Sequence, residues 1–316
     1  MGNDASLRRR LFDSGAAALA RGRPDILKAI PPLKGQYACP VCLRAWPAEA
    51  LTSDPRWLTL DEAPPAASSR GTMTRVLVCR GCNNTAGHLL EHELRKRRDA
   101  EDFSAGRLTG AAQVEFEVND IRVPALARQD QGQITVIGIP SATNPQDLAT
   151  HRSWLDAQVE LGPAATGSFT IHLRPWDHRL SRVALLKAAY LVAFAAFGYW
   201  YILRSDFDPV RSEIREPGRG HIEALPILTD YSQKETTHRI IGVAAPIKAL
   251  AYQIGHDVVL LPHIEPDYEF WDKMGALTAE AEGNLTCDKV GDWPRYPEYR
   301  LDPPYPPQEG GDEPAA

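Results

Sequence analysis

Four of the five cysteines fall into two Cys-x-x-Cys pairs, and this spacing constrains the fold of the 316-residue chain more than any other feature. The pairs are Cys39/Cys42 and Cys79/Cys82, with 36 residues between them, and Cys287 stands alone. Each pair can form a tight knuckle, and two knuckles brought together place four thiolates tetrahedrally around one Zn²⁺. Because a four-cysteine site has no open coordination position, we expect this zinc to stabilise the fold and to take no part in catalysis.

The sequence offers no secretory signal, since no apolar run follows Met1, and we expect a cytoplasmic protein. Disulfides are rare in a reducing compartment, which favours metal ligation by the cysteine pairs. The most apolar segment, residues 183–203, is interrupted by Lys187 and leaves 16 residues from Ala188 onward. A bilayer crossing needs roughly 20, so the segment is predicted to be a buried core helix, and no membrane partner is expected.

Charge is unevenly distributed along the chain, although the formal net charge is only −6. Residues 1–100 carry 16 Lys and Arg against 10 Asp and Glu, a net of +6, whereas the remainder carries 19 against 31, a net of −12. A polyanion would therefore bind the N-terminal part. Chance clustering of charges on solvated faces explains the same pattern equally well.

The hydrophobic pattern predicts an α+β protein with four segments. A helical arm is expected at residues 1–36, a small zinc-bound domain at 37–100, a larger α+β domain of unknown role at 105–290, and a disordered, Pro-rich, acidic tail at 293–316. Alternating apolar and polar positions predict strands at residues 114–118, 134–137, 169–173, 239–243 and 258–262.

A helix is predicted at about residues 83–98, directly after the second cysteine pair. Leu89, Leu90 and Leu94 supply its apolar stripe, and a run of four cations at residues 95–98 ends it. Cations at the carboxyl end suit the helix macrodipole, and they could equally contact phosphates. We expect Trp46 and Trp57 to pack around the zinc rather than to stack on bases.

Three motifs follow one another in a specific order: Cys39-x-x-Cys42, then LTLDEAPP at residues 58–65, then VLVCRGCNNTAGH at residues 76–88. This order resembles the zinc-containing HNH endonucleases, and the resemblance covers about residues 37–98. It implies a ββα, or treble-clef, domain in which a hairpin and a helix hold a catalytic divalent metal, Mg²⁺ or Mn²⁺, beside the structural zinc. In that family a His activates water for attack on a phosphodiester, and the metal stabilises the leaving oxygen.

The resemblance implies catalytic roles for Asp61, Glu62 and Asn83, and the position of His88 on the following helix makes it a further catalytic candidate. The family places an acid and then a His in this turn, whereas this chain has Asp61 and then Glu62. Glu62 therefore stands where the general base would be, and a carboxylate is a weaker base than His at neutral pH. Asp61 could still bind Mg²⁺ through oxygen.

Asn83 matches a position where the family has a metal-binding or orienting residue, with helix N-capping as the alternative role. His88 lies four residues after Asn84 and four before His92, so these residues share a helix face. That face could bind metal or phosphate, and a solvent-facing histidine is the alternative.

The resemblance predicts a metal-dependent HNH endonuclease that hydrolyses DNA. The alternative is a catalytically weakened zinc module that binds nucleic acid without cleaving it, and a third possibility is a protein-interaction module. Glu62 in place of His favours the first alternative, whereas Asn83 and the intact cysteine pairs favour the enzyme. The expected partner is nucleic acid, in the first instance DNA, and the sequence does not indicate an oligomeric state.

Overall fold

The computed structural model has the mixed α+β composition predicted from the sequence. Two compact units make up the chain: a cysteine-bearing unit, Met1–Leu94 with His178–Ala316, and an intervening unit, Arg95–Asp177. The structure describes residues 2–21, 35–53, 56–65, 73–108, 110–130, 132–162, 167–229, 238–280, 285–291 and 293–294.

The first part of the cysteine-bearing unit contains one long helix and two small antiparallel ladders. Leu11, Phe12 and Leu19 of the first helix are buried in the core, so this predicted arm packs against the unit. Residues 22–34 lie outside the described part of the chain. The elements are α1 (Gly2–Ala20), β1 (Tyr37–Ala38) paired with β2 (Ala45–Trp46), β3 (Leu58–Ala63) paired with β4 (Thr74–Cys79), α2 (Arg80–Ala86), a π-helical turn (Gly87–Glu91) and the start of α3 (His92–Ser104), whose residues from Arg95 onward belong to the intervening unit.

The intervening unit contains a four-stranded antiparallel sheet, the greater part of α3 and one further helix. Val114, Phe116 and Val118 alternate inward along the first strand, as a half-buried strand requires. Asn119 and Asp120 both have positive φ and form the two-residue turn to the next strand. The sheet order is β7-β6-β5-β8, with β5 (Ala112–Val118), β6 (Ile121–Asp130), β7 (Gln133–Gly138), α4 (Pro145–Leu161) and β8 (Thr170–Leu173).

The remaining elements return to the cysteine-bearing unit. Their five-stranded antiparallel sheet has the order β13-β10-β11-β12-β9. The elements are α5 (His178–Phe197), α6 (Tyr199–Ile202), α7 (Asp208–Arg215), β9 (Ile227–Thr229), β10 (His238–Ala245), β11 (Ala249–Ile254), β12 (Asp257–Pro262), α8 (Phe270–Glu280) and β13 (Thr286–Gly291).

Helix α5 is the core helix predicted from the apolar segment. Among the described residues it is the one helix long and apolar enough to cross a membrane, yet 78% of its most apolar stretch is buried inside the protein. A helix that is apolar on every side needs neighbours on every side, and here the protein supplies them. The helix ends at Gly198, whose φ of 77° is accessible to glycine at little cost.

The two units divide the chain differently from the expected segments. The domain expected at 105–290 is split, because the residues from His178 onward share one core with the cysteine segments. The predicted disordered tail begins with two packed residues: Trp293 is buried, and the Thr74 hydroxyl donates a hydrogen bond to the Pro294 carbonyl. Residues 295–316 lie outside the described part of the chain.

Candidate functional site

The four paired cysteines come together in one cluster, as the spacing predicted. The sulfur atoms of Cys39, Cys42, Cys79 and Cys82 all lie within 4.8 Å of one another. Cys39 is buried, Cys42 and Cys82 are partly exposed, and Cys287 is exposed and does not belong to the cluster.

Local backbone turns position the two knuckles. In the first, the Leu43 N–H donates to the Cys39 carbonyl at 2.8 Å, and Leu43 takes a left-handed φ of 59° to close the turn between β1 and β2. In the second, Cys79 ends β4 and Cys82 lies in the first turn of α2. The Cys79 N–H donates to the Cys39 sulfur at 3.3 Å, which links the two knuckles.

The cluster has the donor set and the size that a tetrahedral zinc site requires. Four sulfurs at about 2.3 Å from Zn²⁺ would lie about 3.8 Å from one another. The Cys42 and Cys79 sulfurs are 3.7 Å apart. Four converging cysteines can therefore hold a structural metal such as zinc, and a site closed by four thiolates leaves no position for substrate.

The pKa values of the clustered cysteines are shifted in different directions. Burial raises the pKa of the Cys39 thiol well above its usual range, whereas a hydrogen bond with Cys39 lowers the pKa of Cys42. A metal ion binds thiolates, so it competes with protons for all four sulfurs.

Asp61 lies in the interior, where its carboxylate meets a buried lysine. Its Oδ2 atom is 2.7 Å from Nζ of Lys187 on α5, and the side chains of Asp61 and Lys187 are only 3% and 2% exposed. The same ammonium donates a hydrogen bond to Oε1 of Glu91 at 2.5 Å. Asp61, Glu91 and Lys187 therefore form a charge cluster, in which Asp61 and Lys187 are buried and Glu91 is partly exposed.

Burial has opposite effects on the pKa values of Asp61 and Lys187. Burial alone would lower the pKa of Lys187, but the charges of Asp61 and Glu91 outweigh it and raise that pKa, so the lysine carries its charge. Burial raises the pKa of Asp61 despite the adjacent ammonium. The site predicted to bind a metal through Asp61 thus has a side-chain cation beside that carboxylate.

Glu62 and Asp61 are neighbours on β3 with different surroundings. Successive strand residues point to opposite faces. The Glu62 side chain is about a third exposed, and its carboxylate lies 3.5 Å from the Arg75 guanidinium on the paired strand. The two predicted catalytic carboxylates therefore have separate partners.

Asn83 connects helix α2 to the hairpin. Its side-chain amide donates to the Thr59 hydroxyl at 3.0 Å and to the Leu60 carbonyl at 3.3 Å. Asn83 is not the N-cap of α2, because Cys79 holds that position. The Cys79 side chain makes no capping hydrogen bond. Asn83 thus fixes β3 just before Asp61, which is a positioning role.

His88 is exposed in the π-helical turn, and His92 is exposed one turn later. His88 does not belong to the charge cluster of Asp61, Glu91 and Lys187. In the cationic run of residues 95–98, Arg97 and Arg98 are buried and each pairs with Glu101 at 2.8 Å. These two cations therefore share an acidic partner within the protein.

Two members of the charge cluster were not recognised in the sequence. Lys187 was visible as the single charge inside the apolar segment 183–203, and such a lysine must find a buried partner. Glu91 carried no comparable signal, because an acid on a helix next to exposed residues is ordinary.

Comparisons with known proteins find no match to this chain. No family model matches the chain, and neither the curated proteins nor the solved structures contain a match. The functional argument therefore depends on the geometry of the site.

Proposed function

We propose that this chain binds nucleic acid without cleaving it and that a bound metal stabilises its fold. The observation that carries this proposal is the Lys187 ammonium lodged between the carboxylates of Asp61 and Glu91. Cleavage of the HNH type needs an oxygen-ligated divalent metal that reaches the phosphate. Asp61 is the carboxylate that would have to hold this metal.

Electrostatics and access both oppose a metal at Asp61. The residue is 4% exposed, so a phosphodiester has no direct approach to it. At an effective dielectric constant of 20, a divalent cation about 4 Å from the Lys187 ammonium would be repelled by roughly 8 kcal/mol, which offsets part of its attraction to the two carboxylates. Lysine thus satisfies the carboxylate charge that a catalytic metal would otherwise satisfy.

Binding is supported by the side chains beside the cysteine cluster. Arg44 lies exposed in the first knuckle, and Arg56 and Trp57 lie exposed just before β3. Arginine contacts phosphates and stacks on bases, and tryptophan supplies a stacking surface. The net charge of +6 over residues 1–100 agrees in sign with a polyanionic partner.

The test measures binding and cleavage in parallel on the metal-loaded protein. Fluorescence polarisation with labelled oligonucleotides should show binding that weakens steeply with salt, through counterion release. Plasmid incubated with Mg²⁺ or Mn²⁺ should remain supercoiled. Nicking by the parent that disappears in Asp61→Asn would overturn the non-cleaving proposal, and salt-independent or absent binding would overturn the nucleic-acid partner.

Metal-dependent cleavage remains the second candidate, favoured by the β3–β4 hairpin with α2 tied to it through Asn83. Under this candidate Glu62 occupies the position of the general base, and Glu62→His should raise nicking at neutral pH. Asp61→Ala and Asn83→Ala should lower it. Equal nicking by all three variants and the parent would exclude these residues as the site.

A further inference from the structure

A group of stacked side chains lies on the surface of the first knuckle and was not expected there. The rings of Trp46 and Trp57 stack with centroids 5.9 Å apart and planes inclined by 16°. The Arg44 guanidinium carbon lies 4.5 Å from the centroid of the Trp46 ring. We call Arg44, Trp46 and Trp57 the tryptophan platform.

The platform is open on its Trp57 side. The sequence predicted that both tryptophans pack around the zinc, and Trp46 is partly buried in this way, but Trp57 is 46% exposed. A large aromatic ring held in water loses favourable burial, so an exposed tryptophan that is already stacked on one neighbour is suited to a second planar group.

The backbone under the platform is fixed before any ligand arrives. The Trp57 N–H donates to the Ala50 carbonyl at 3.1 Å, and the Trp57 carbonyl accepts from the Arg80 N–H at 2.7 Å. Arg80 begins α2 between the two cysteines of the second knuckle. Because both peptide groups of Trp57 are bound, little backbone order is lost when a ligand stacks on its ring.

The charge around the platform selects the kind of ligand. Arg44 belongs to the platform itself, Arg56 precedes Trp57 and is exposed, and Arg80 is partly exposed beside it. The described segments 35–53 and 56–58 contain one acidic residue, Glu49, and two cations, Arg44 and Arg56. Cations around an exposed aromatic face fit an anionic ligand that also carries flat rings.

We propose that the tryptophan platform binds unpaired bases of single-stranded nucleic acid, an inference that rests on the proposed nucleic-acid function. Bases in a duplex are stacked on each other and do not present their faces, whereas unpaired bases stack freely on exposed tryptophan. The neighbouring arginines would contact the phosphates that flank the stacked base.

The test compares Trp57→Ala and Trp57→Phe with Tyr268→Ala, which removes a different exposed ring (73% exposed) of the same unit. The probes are a labelled oligothymidylate, a duplex, and an abasic strand of equal length and charge. Trp57→Ala should weaken oligothymidylate binding by about 5- to 100-fold, Trp57→Phe by less, and Tyr268→Ala not at all. Binding of the abasic strand should be unaffected by Trp57.

The outcomes separate this inference from the function on which it rests. Parent protein that binds nucleic acid, but equally well after Trp57→Ala or with a preference for the duplex, would overturn the platform and leave the proposed function standing. Parent protein that binds none of the three probes would overturn both and leave the platform to a protein partner. Unchanged metal content and melting temperature in the Trp57 variants show that the fold is intact.

Discussion

Lys187 carries a charge in a place where a charge is costly. Transferring an ammonium into the interior carries an effective penalty of several kcal/mol, which close opposite charges can offset. Asp61 and Glu91 supply two such charges within 2.7 Å of the nitrogen. The three side chains therefore depend on one another, and removing the lysine would leave Asp61 as an uncompensated buried carboxylate.

We predict that Lys187→Met lowers the free energy of unfolding by about 3–5 kcal/mol, the range observed when one partner of a buried ion pair is removed. Methionine keeps an unbranched apolar stem as far as the Cε position and lacks only the terminal ammonium, so the loss reports charge more than volume. Urea unfolding followed by circular dichroism measures it. The control is Lys248→Met, because Lys248 pairs with Glu265 on the exposed surface, where solvent screens the interaction, and this variant should unfold like the parent.

Adding Asp61→Asn to Lys187→Met tests the cause of the loss. Asparagine removes the buried negative charge with little change in shape, so the double variant should recover much of the stability lost in Lys187→Met. A double variant as unstable as the single one would attribute the effect to packing around α5 rather than to charge.

The cysteine site was predictable at this scale and the charge cluster was not. Four thiol ligands at knuckle spacing form a complete ligand set that can be recognised from short segments. Asp61 stood out in the sequence only through a motif. Its actual partner lies on α5, far along the chain, and no local pattern connects the two.

At the scale of elements, the contact between α2 and the hairpin depends on one side chain. Asn83→Ala removes the hydrogen bonds to the Thr59 hydroxyl and the Leu60 carbonyl, and we expect a loss of about 1–2 kcal/mol in unfolding free energy. The adjacent Asn84 is exposed, so Asn84→Ala is a matched control with a change within about 0.5 kcal/mol. Equal effects of the two variants would contradict the positioning role of Asn83.

The first knuckle is held to the core helices by two tyrosine hydroxyls. Tyr190 on α5 donates to the Pro40 carbonyl and Tyr199 on α6 donates to the Ala38 carbonyl, each at 2.6 Å and fully buried. These carbonyls flank Cys39. The metal knuckle is thus bonded directly to elements far along the chain.

We predict that Tyr190→Phe and Tyr199→Phe each lower the unfolding free energy by about 1–2 kcal/mol, because a buried carbonyl loses its donor. The exposed Tyr268 provides the control, and Tyr268→Phe should leave stability unchanged. Thermal melting measures all three. If both core variants melt with the parent, the hydroxyls do not hold the knuckle to the helices.

Several elements with a clear sequence pattern were predicted, and other elements were missed. The strands at 114–118 and 258–262 were found in β5 and β12, and the apolar segment became α5. Strand β11 was not predicted, because all six of its residues are buried and so show no alternation. Helix α4 was also missed, although Asn144 followed by Pro145 is a helix-start signal and the Asn144 side chain does cap the helix.

At the scale of the whole molecule, the chain leaves the cysteine-bearing unit at Arg95 and returns to it at His178. The sequence indicated which segments are apolar, but it did not indicate which of them pack together. Core helix α5 packs in one cluster with residues of β3 and β4 and with Tyr252 of β11. The boundary between basic and acidic parts near residue 100 therefore describes the sequence and not the division into units.

This shared core leads to a prediction about metal removal. A small knuckle buries too little surface to be stable alone, so loss of its metal should loosen whatever packs on it. In this protein the β3–β4 hairpin and elements from α5 onward share one core with the knuckle, so both should be loosened. Cys82→Ser should abolish the one metal ion per chain expected by elemental analysis, whereas Cys287→Ser, which changes an exposed cysteine outside the cluster, should retain it.

Hydrogen exchange measured by mass spectrometry tests how far the disturbance extends. In Cys82→Ser, amide protection should fall in β3 and β4 and equally in β11, because these strands contribute to one core. Protection in β5 and β6 should persist, since their side chains form a separate core in the intervening unit. Protection lost only from β3 and β4 would show that the knuckle opens alone and that the shared core does not transmit the loss of metal.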